Sequence, residues 1–259
     1  ASVADTTAVS VGSQIMHMLT VMIVGLAMGT TVSIANAVGA GDRKRAAQSI
    51  GNTVTLFMSL SVVLMGLLLL SVRPITSLMA TPPQAVASTV SYLTVCFLGI
   101  PFITAYNILA SVFRGIGDSK SPMYFIAVAC VCNIGLDFLF IGALGLGPVG
   151  AALGTTLSQT VSVALSLCVI VKKRSIGLSK SDFKPKKAVM RRLLSIGLPV
   201  AAQDGLIQIA FIVITVIANS RGLNTAAAVG IVEKIIGFVF LVPSSLLSAV
   251  SALGAQNIG

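Results

Sequence analysis

Apolar positions along the chain gather into seven long runs, at roughly residues 7–40, 49–72, 86–113, 121–142, 149–171, 193–220 and 225–257, with short polar breaks between them. Each run exceeds the roughly 20 residues a helix needs to cross a hydrocarbon layer of about 30 Å. The pattern predicts an all-α, polytopic membrane helical bundle. Proline placement agrees with it. Pro74, Pro82, Pro83, Pro122, Pro148 and Pro185 fall at or between the predicted helix ends, where a missing N–H costs little. Pro101, Pro199 and Pro243 lie within runs and mark kinks, which membrane helices tolerate when neighbours re-satisfy the freed carbonyls.

Composition removes the soluble alternative. The chain is 56% hydrophobic and 9% charged, with a mean hydropathy of +1.01, against about 25% charged residues in a soluble domain. The net charge of +10 invites a nucleic-acid reading, but the basic residues sit in loops with no soluble domain to present them. Cys96, Cys130, Cys132 and Cys168 lie inside apolar runs, without metal-site spacing, and no disulfide is expected.

The basic residues are more informative by position. Arg43, Lys44 and Arg45 follow the first run, and Arg114 and Lys120 follow the third. Nine more, from Lys172 to Arg192, follow the fifth. Fourteen thus fall on one side, while Arg73 and Arg221 alone fall on the other. By the positive-inside rule loops 41–48, 114–120 and 172–192 are cytoplasmic and the protein sits in the inner (plasma) membrane. The length of 172–192 marks it as a linker between two helical bundles, giving a first lobe over 1–171 and the start of a second over 193–259. A shift of 220 residues lays the first run on the seventh. Ala8/Ala228, Val9/Val229, Ile15/Ile235, Leu26/Leu246, Ala35/Ala255 and Gly39/Gly259 are then identical, as in a parallel internal repeat. The chain opens at Ala1 without an initiator Met or signal peptide and stops inside an apolar run, so both ends read as cut.

Ionisable groups within the bilayer are costly, and each is a functional hypothesis. Asp137 lies in the outer half of its helix, Asn133 one turn deeper on the same face, and Thr155 at similar depth on the next helix. A carboxylate, an amide oxygen and a hydroxyl so placed can hold Na⁺ or exchange a proton; packing by interhelical hydrogen bonds is the competing reading. Asp204, with Gln203 beside it and Gln208 one turn on, could line a cavity for a cationic solute or make a local interhelical bond. Glu233 could join that cavity or be neutralised by Lys234 next to it. Asp5, at the outer lip, reads as solvated. His17, the only histidine, could titrate near neutral pH or make a hydrogen bond within the bundle. Gly25 and Gly29 form a G-x-x-x-G close-packing face. Gly145, Gly147 and Gly150 spell G-x-G-x-x-G, but Pro148 in the turn and the membrane flanks make this a hairpin between helices rather than a dinucleotide site.

Several stretches together carry a family resemblance. Gly39-Ala40-Gly41-Asp42-Arg43, Arg114-Gly115-Ile116-Gly117-Asp118-Ser119-Lys120-Ser121-Pro122, Asn133-Ile134-Gly135-Leu136-Asp137, Gly147-Pro148-Val149-Gly150-Ala151-Ala152, Gly197-Leu198-Pro199 and Ala255-Gln256-Asn257-Ile258-Gly259 resemble the bacterial branch of the multidrug and toxic-compound extrusion (MATE) family. The resemblance covers essentially the whole chain. It implies a two-lobe transporter fold of twelve helices, here truncated to about seven, corresponding to helices two to eight. It also implies antiport, in which Na⁺ or H⁺ enters as an organic, often cationic drug leaves. No cofactor, nucleic acid or catalytic residue is implied, and the full-length protein is expected to be a monomer. The family's first-lobe cation site matches Asn133, Asp137 and Thr155, with a further Asp on the helix that precedes this chain. A second-lobe Glu used by some members falls where Ile207-Gln208 stand here, which puts that site in doubt. Lipid-linked oligosaccharide flippases share the architecture but favour a cationic cavity, and a membrane enzyme would need a nucleophile–base or metal constellation that the sequence lacks.

Overall fold

A computed structural model describes residues 3–79, 81–173, 178–220 and 223–259. The described residues form eight α-helices: α1 Val3–Gly39, α2 Arg43–Leu78, α3 Val86–Leu98, α4 Ile100–Gly115, α5 Lys120–Asp137, α6 Gly147–Lys173, α7 Lys187–Ser220 and α8 Leu223–Ile258. A π-helical segment, Phe138–Ala143, prolongs α5, and a 3₁₀ turn, Lys180–Phe183, precedes α7. Among the described residues there is no strand. Six helices are long and apolar enough to span a membrane alone, and α3 with α4 makes a seventh span bent by 44°. These are the seven runs of the sequence.

The bend has a local cause. Pro101, second residue of α4, has no N–H to continue the α3 ladder. Gly99 sits at the break because Thr156 Oγ1 of α6 would lie 2.7 Å from any Cβ there. The resemblance motifs at two cytoplasmic turns are one device used twice. Gly41 (φ 69°) and Gly117 (φ 88°) take the left-handed conformation that ends a helix. The aspartate after each then caps the next helix: Asp42 Oδ1 accepts from the Arg45 N–H at 2.9 Å, and Asp118 Oδ1 from the Ser121 N–H at 3.0 Å. Gly145 (φ 63°) and Gly147 (φ 52°) turn the α5–α6 hairpin, as expected of that glycine motif.

Three apolar clusters form the core, around Leu93, Phe97 and Ile100, around Ile34, Phe57 and Ile108, and around Phe113 and Phe125. All their buried members precede the linker, and α8 exposes most of its large apolar side chains. Polar contacts gather the basic loops at one end. Gln256 Nε2 donates to the Gly115 carbonyl at 3.1 Å and an Arg192 guanidinium N–H to Asn36 Oδ1 at 3.1 Å. Asn52, fully buried on α2, holds the linker from both sides. Its Nδ2 donates to the Asp182 carbonyl at 3.0 Å and its Oδ1 accepts from the Lys186 N–H at 2.6 Å.

Two boundaries differ from the sequence expectation. Pro74 is not at a helix end, because α2 runs through it to Leu78 and takes Arg73 with it. The linker is shorter than 172–192: Lys172 and Lys173 continue α6, and α7 begins at Lys187, so Arg191 and Arg192 are helical. Positive-inside charge clusters at helix ends as well as in loops, so counting charges cannot separate the two. Residues 174–177 of the expected linker lie outside the described residues. Cys130 and Cys168 are exposed side chains on membrane helices, and all four cysteines are free thiols.

Candidate cation and cargo sites

The strongest intramembrane cluster stands where α5 passes into its π-helical end. Asp137 is the last α-helical residue before Phe138–Ala143. Such wide turns often mark functional sites. Asn133, one turn inward, shares its face. Both point at Gly154 of α6: a Cβ on Gly154 would collide with Asp137 Oδ1 and lie 3.4 Å from Asn133 Nδ2. Asp137 Oδ1 and Asn133 Nδ2 are buried atoms without a hydrogen-bond partner. Buried polar atoms are normally satisfied, so two orphans on neighbouring side chains are a signal. Rotating the Asn133 amide turns its oxygen to the same spot. Thr155 stands beside Gly154, but it is exposed and its hydroxyl donates to the Ala151 carbonyl at 3.1 Å. The structure therefore brings Asp137 and Asn133 together, with Thr155 at the flank.

Two features of this cluster escape sequence reading. Gly154 is the hole into which the carboxylate fits; its only signal is a glycine before Thr155-Thr156. Gln159, the one amide residue of α6 and a turn below Thr155, also buries an unpartnered Oε1. A polar side chain at mid-membrane was its signal.

The second group follows the α1–α7 seam. Gly25 and Gly29 are a close-packing face, as their spacing implied. A Cβ on Gly25 would lie 2.8 Å from Ala201 Cα, and one on Gly29 would meet the Leu193 carbonyl. Gly197 of α7 replies against the Leu26 carbonyl. Asp204 Oδ2 sits 3.0 Å from the same Gly25 position, at the outer end of the seam, and Gln208 is half-buried one turn farther out. Beyond that level one face of α1, with Thr6, Ser10, Ser13 and His17, is exposed. His17 stands on this exposed face. Glu233 is not paired with Lys234, since adjacent helix residues point apart; it accepts from Thr215 Oγ1 of α7 at 2.7 Å. Asp5 is half-buried and accepts from Ser88 Oγ at 3.3 Å, so it is a packed rather than a solvated residue.

The repeat is visible at the inner end. A Cβ on Gly39 would strike the Gln256 carbonyl, and one on Gly259 would strike the Asn36 carbonyl. Asn36 and Gln256, like Gly39 and Gly259, differ by 220, so the two contacts are one contact and its symmetry mate.

The described residues thus form a multi-pass membrane helical bundle with one broken span and a glycine-welded seam around intramembrane acids. The chain belongs to the MatE family, whose family model matches residues 2–139. It is 32% identical over 245 residues to the probable multidrug resistance protein YoeA of Bacillus subtilis, covering 91% of this chain and 53% of that protein. It is 30% identical over 252 residues to the probable multidrug resistance protein YpnP of the same organism, covering 97% and 56%. A crystal structure of a MATE protein in the bent conformation superposes with a TM-score of 0.89 at 25% identity, over 98% of this chain and 57% of the other. The chain spans about half the length of the curated relatives it matches.

Proposed function

We propose that this chain forms the first lobe (1–171), linker (172–192) and opening helices of the second lobe (193–259) of an exporter that expels organic, cationic compounds in exchange for Na⁺ or H⁺. The observation that carries the proposal is the orphaned Asp137 carboxylate oxygen beside Asn133. A buried carboxylate oxygen without a partner is costly, and a proton or a sodium ion relieves that cost. Both ions compete for one site, and either drives the cycle if its release favours the opposite-facing state. Asp204 and Gln208 supply an acidic, polar lining at the outer end of the α1–α7 seam, and Glu233 adds a carboxylate farther out, between α7 and α8, suited to a cation on its way out. The names of the Bacillus relatives point to drugs as cargo. Acids rather than basic residues at these positions favour this reading over flipping of an anionic lipid-linked sugar.

The test is drug efflux from proteoliposomes of the full-length protein under an imposed Na⁺ or H⁺ gradient, at matched insertion. Asp137→Asn keeps the volume and removes the charge, and it abolishes gradient-driven export. Asn133→Ala and Thr155→Ala each remove one neutral oxygen and weaken the cation by about tenfold or less, the ~1 kcal/mol of a neutral hydrogen bond. Export by Asp137→Asn at the parental rate leaves Asp137 a packing residue.

A further inference from the structure

At the inner end of the first lobe, between α2, α4 and α6, lies a cavity of about 170 Å³. Its wall is apolar, with Ile50 and Val54 from α2, Val112 and Phe113 from α4, and Leu167 from α6. The linker roofs it with Leu178 and Phe183. The wall residues of α4 and α6 fall within the last two turns of their helices, so the cavity lies at the depth where acyl chains of the cytoplasmic leaflet begin. Its roof is fixed rather than incidental. Besides the two hydrogen bonds from Asn52, Thr55 Oγ1 donates to the Phe183 carbonyl at 2.8 Å, and Gly51 has no side chain because the Asp182 carbonyl occupies that space.

The rim is basic. Lys180, Lys184 and Lys186 are exposed on the roof, and Lys44 faces it from the start of α2. The one carboxylate among them, Asp182, is already engaged by the Ser179 N–H and hydroxyl, both at 2.9 Å. An apolar slot under four lysines matches a molecule with a hydrocarbon tail and an anionic head. We propose that this cavity binds an anionic phospholipid of the cytoplasmic leaflet, with a segment of acyl chain between Val54, Val112 and Leu167 and the phosphate on the linker lysines. The assignment is independent of what the protein exports.

Native mass spectrometry of the full-length protein, released from micelles doped with palmitoyl-oleoyl phosphatidylglycerol or phosphatidylcholine, tests it. The parent retains the glycerol lipid at least tenfold more than the choline lipid. Lys180→Ala with Lys184→Ala brings the two within twofold. Val54→Phe fills the slot and loses the retained lipid; Ile170→Phe, at a second residue of the α6 wall, gives the same readout should Val54→Phe not fold. Equal retention of both lipids by the parent overturns the proposal, and so does undiminished retention by a filled slot. No retained lipid at all, as when a further helix of the longer protein covers the cavity, also overturns it.

Discussion

Along α1 the inner half, from Met22 to Gly39, meets α7 and α8 at glycines, backbone against backbone at most of them, whereas the outer half packs against α3 and leaves one face exposed among the described residues. The inner half spends Gly25, Gly29 and Gly39 on that approach, answered by Gly197 and Gly259. The outer half buries Gly12 against the Tyr92 ring and ties Asp5 to Ser88, and its other face carries Thr6, Ser10, Ser13 and His17 exposed. In a membrane, where apolar side chains gain little by leaving lipid for protein, close backbone packing is what holds helices together. A polar face has its use where water or a solute reaches it. On the function proposed above, the inner half closes the lobes on each other and the outer half, with its exposed polar face, lines the opening. Asp204 marks the border between them.

The largest effect expected from breaking this contrast is at Gly29. Gly29→Leu drives a side chain into the Leu193 carbonyl, and overpacking of this kind costs about 1–3 kcal/mol or more. Thermal unfolding in detergent should show a clear loss of stability. Gly66→Leu on α2, where nothing lies within 4 Å of a Cβ, should leave the melting temperature unchanged. Equal losses at the two positions would mean that the seam is not what joins α1 to α7.

A smaller, selective effect is expected at the border. Asp204→Asn retains shape and the Gly25 contact but removes the charge. Export of cationic dyes by the full-length protein should fall several-fold while that of neutral dyes holds. Equal loss for both classes would assign Asp204 to folding or coupling, and the outer half would no longer be distinguished as a cargo surface.

Much of this was legible in the sequence because membrane physics is simple at the level of spans. Seven runs became seven spans, Pro101 marked the break at Gly99, and the Gly25/Gly29 spacing marked the seam. The shift of 220 paired Gly39 with Gly259 before their contacts with Gln256 and Asn36 were visible. What stayed hidden depends on atoms brought together by packing. Asn52 reads as an ordinary polar residue of α2 until the linker, some 130 positions away, arrives on both sides of it. The π-helical turn after Asp137 has no proline or glycine at its start to announce it, and the fit of Asp137 over Gly154 appears only once α5 and α6 are packed. Thr155 matched by depth along its helix, but depth does not set the direction of a hydroxyl that can bond its own backbone.

The smallest effect concerns how the inner end is strapped. Asp182 accepts hydrogen bonds from the Ser179 backbone and side chain, and Lys186 and Lys44 stand near it; these hold its carboxyl below the usual carboxylate range, with the Ser179 backbone bond the leading cause. A depressed folded value means that the linker turn is supported at every pH above the unfolded carboxylate's ~3.9. The support is lost as pH falls through the still lower folded value. Amide hydrogen exchange in the segment 179–186, corrected for intrinsic rates, should therefore show constant protection from pH 7 to about pH 5. Protection should decline only below about pH 4. Asp182→Asn keeps an acceptor without the charge, so its protection should be lower at neutral pH and flat across the range. At Gly29 the seam is backbone against backbone with no ionisable side chain at the contact, so the amides of α1 around Gly29 serve as the internal reference. If those amides lose protection in step with the linker, acid is unfolding the whole inner end. If the linker alone lets go, the strap is a separate layer added over a seam that holds by packing.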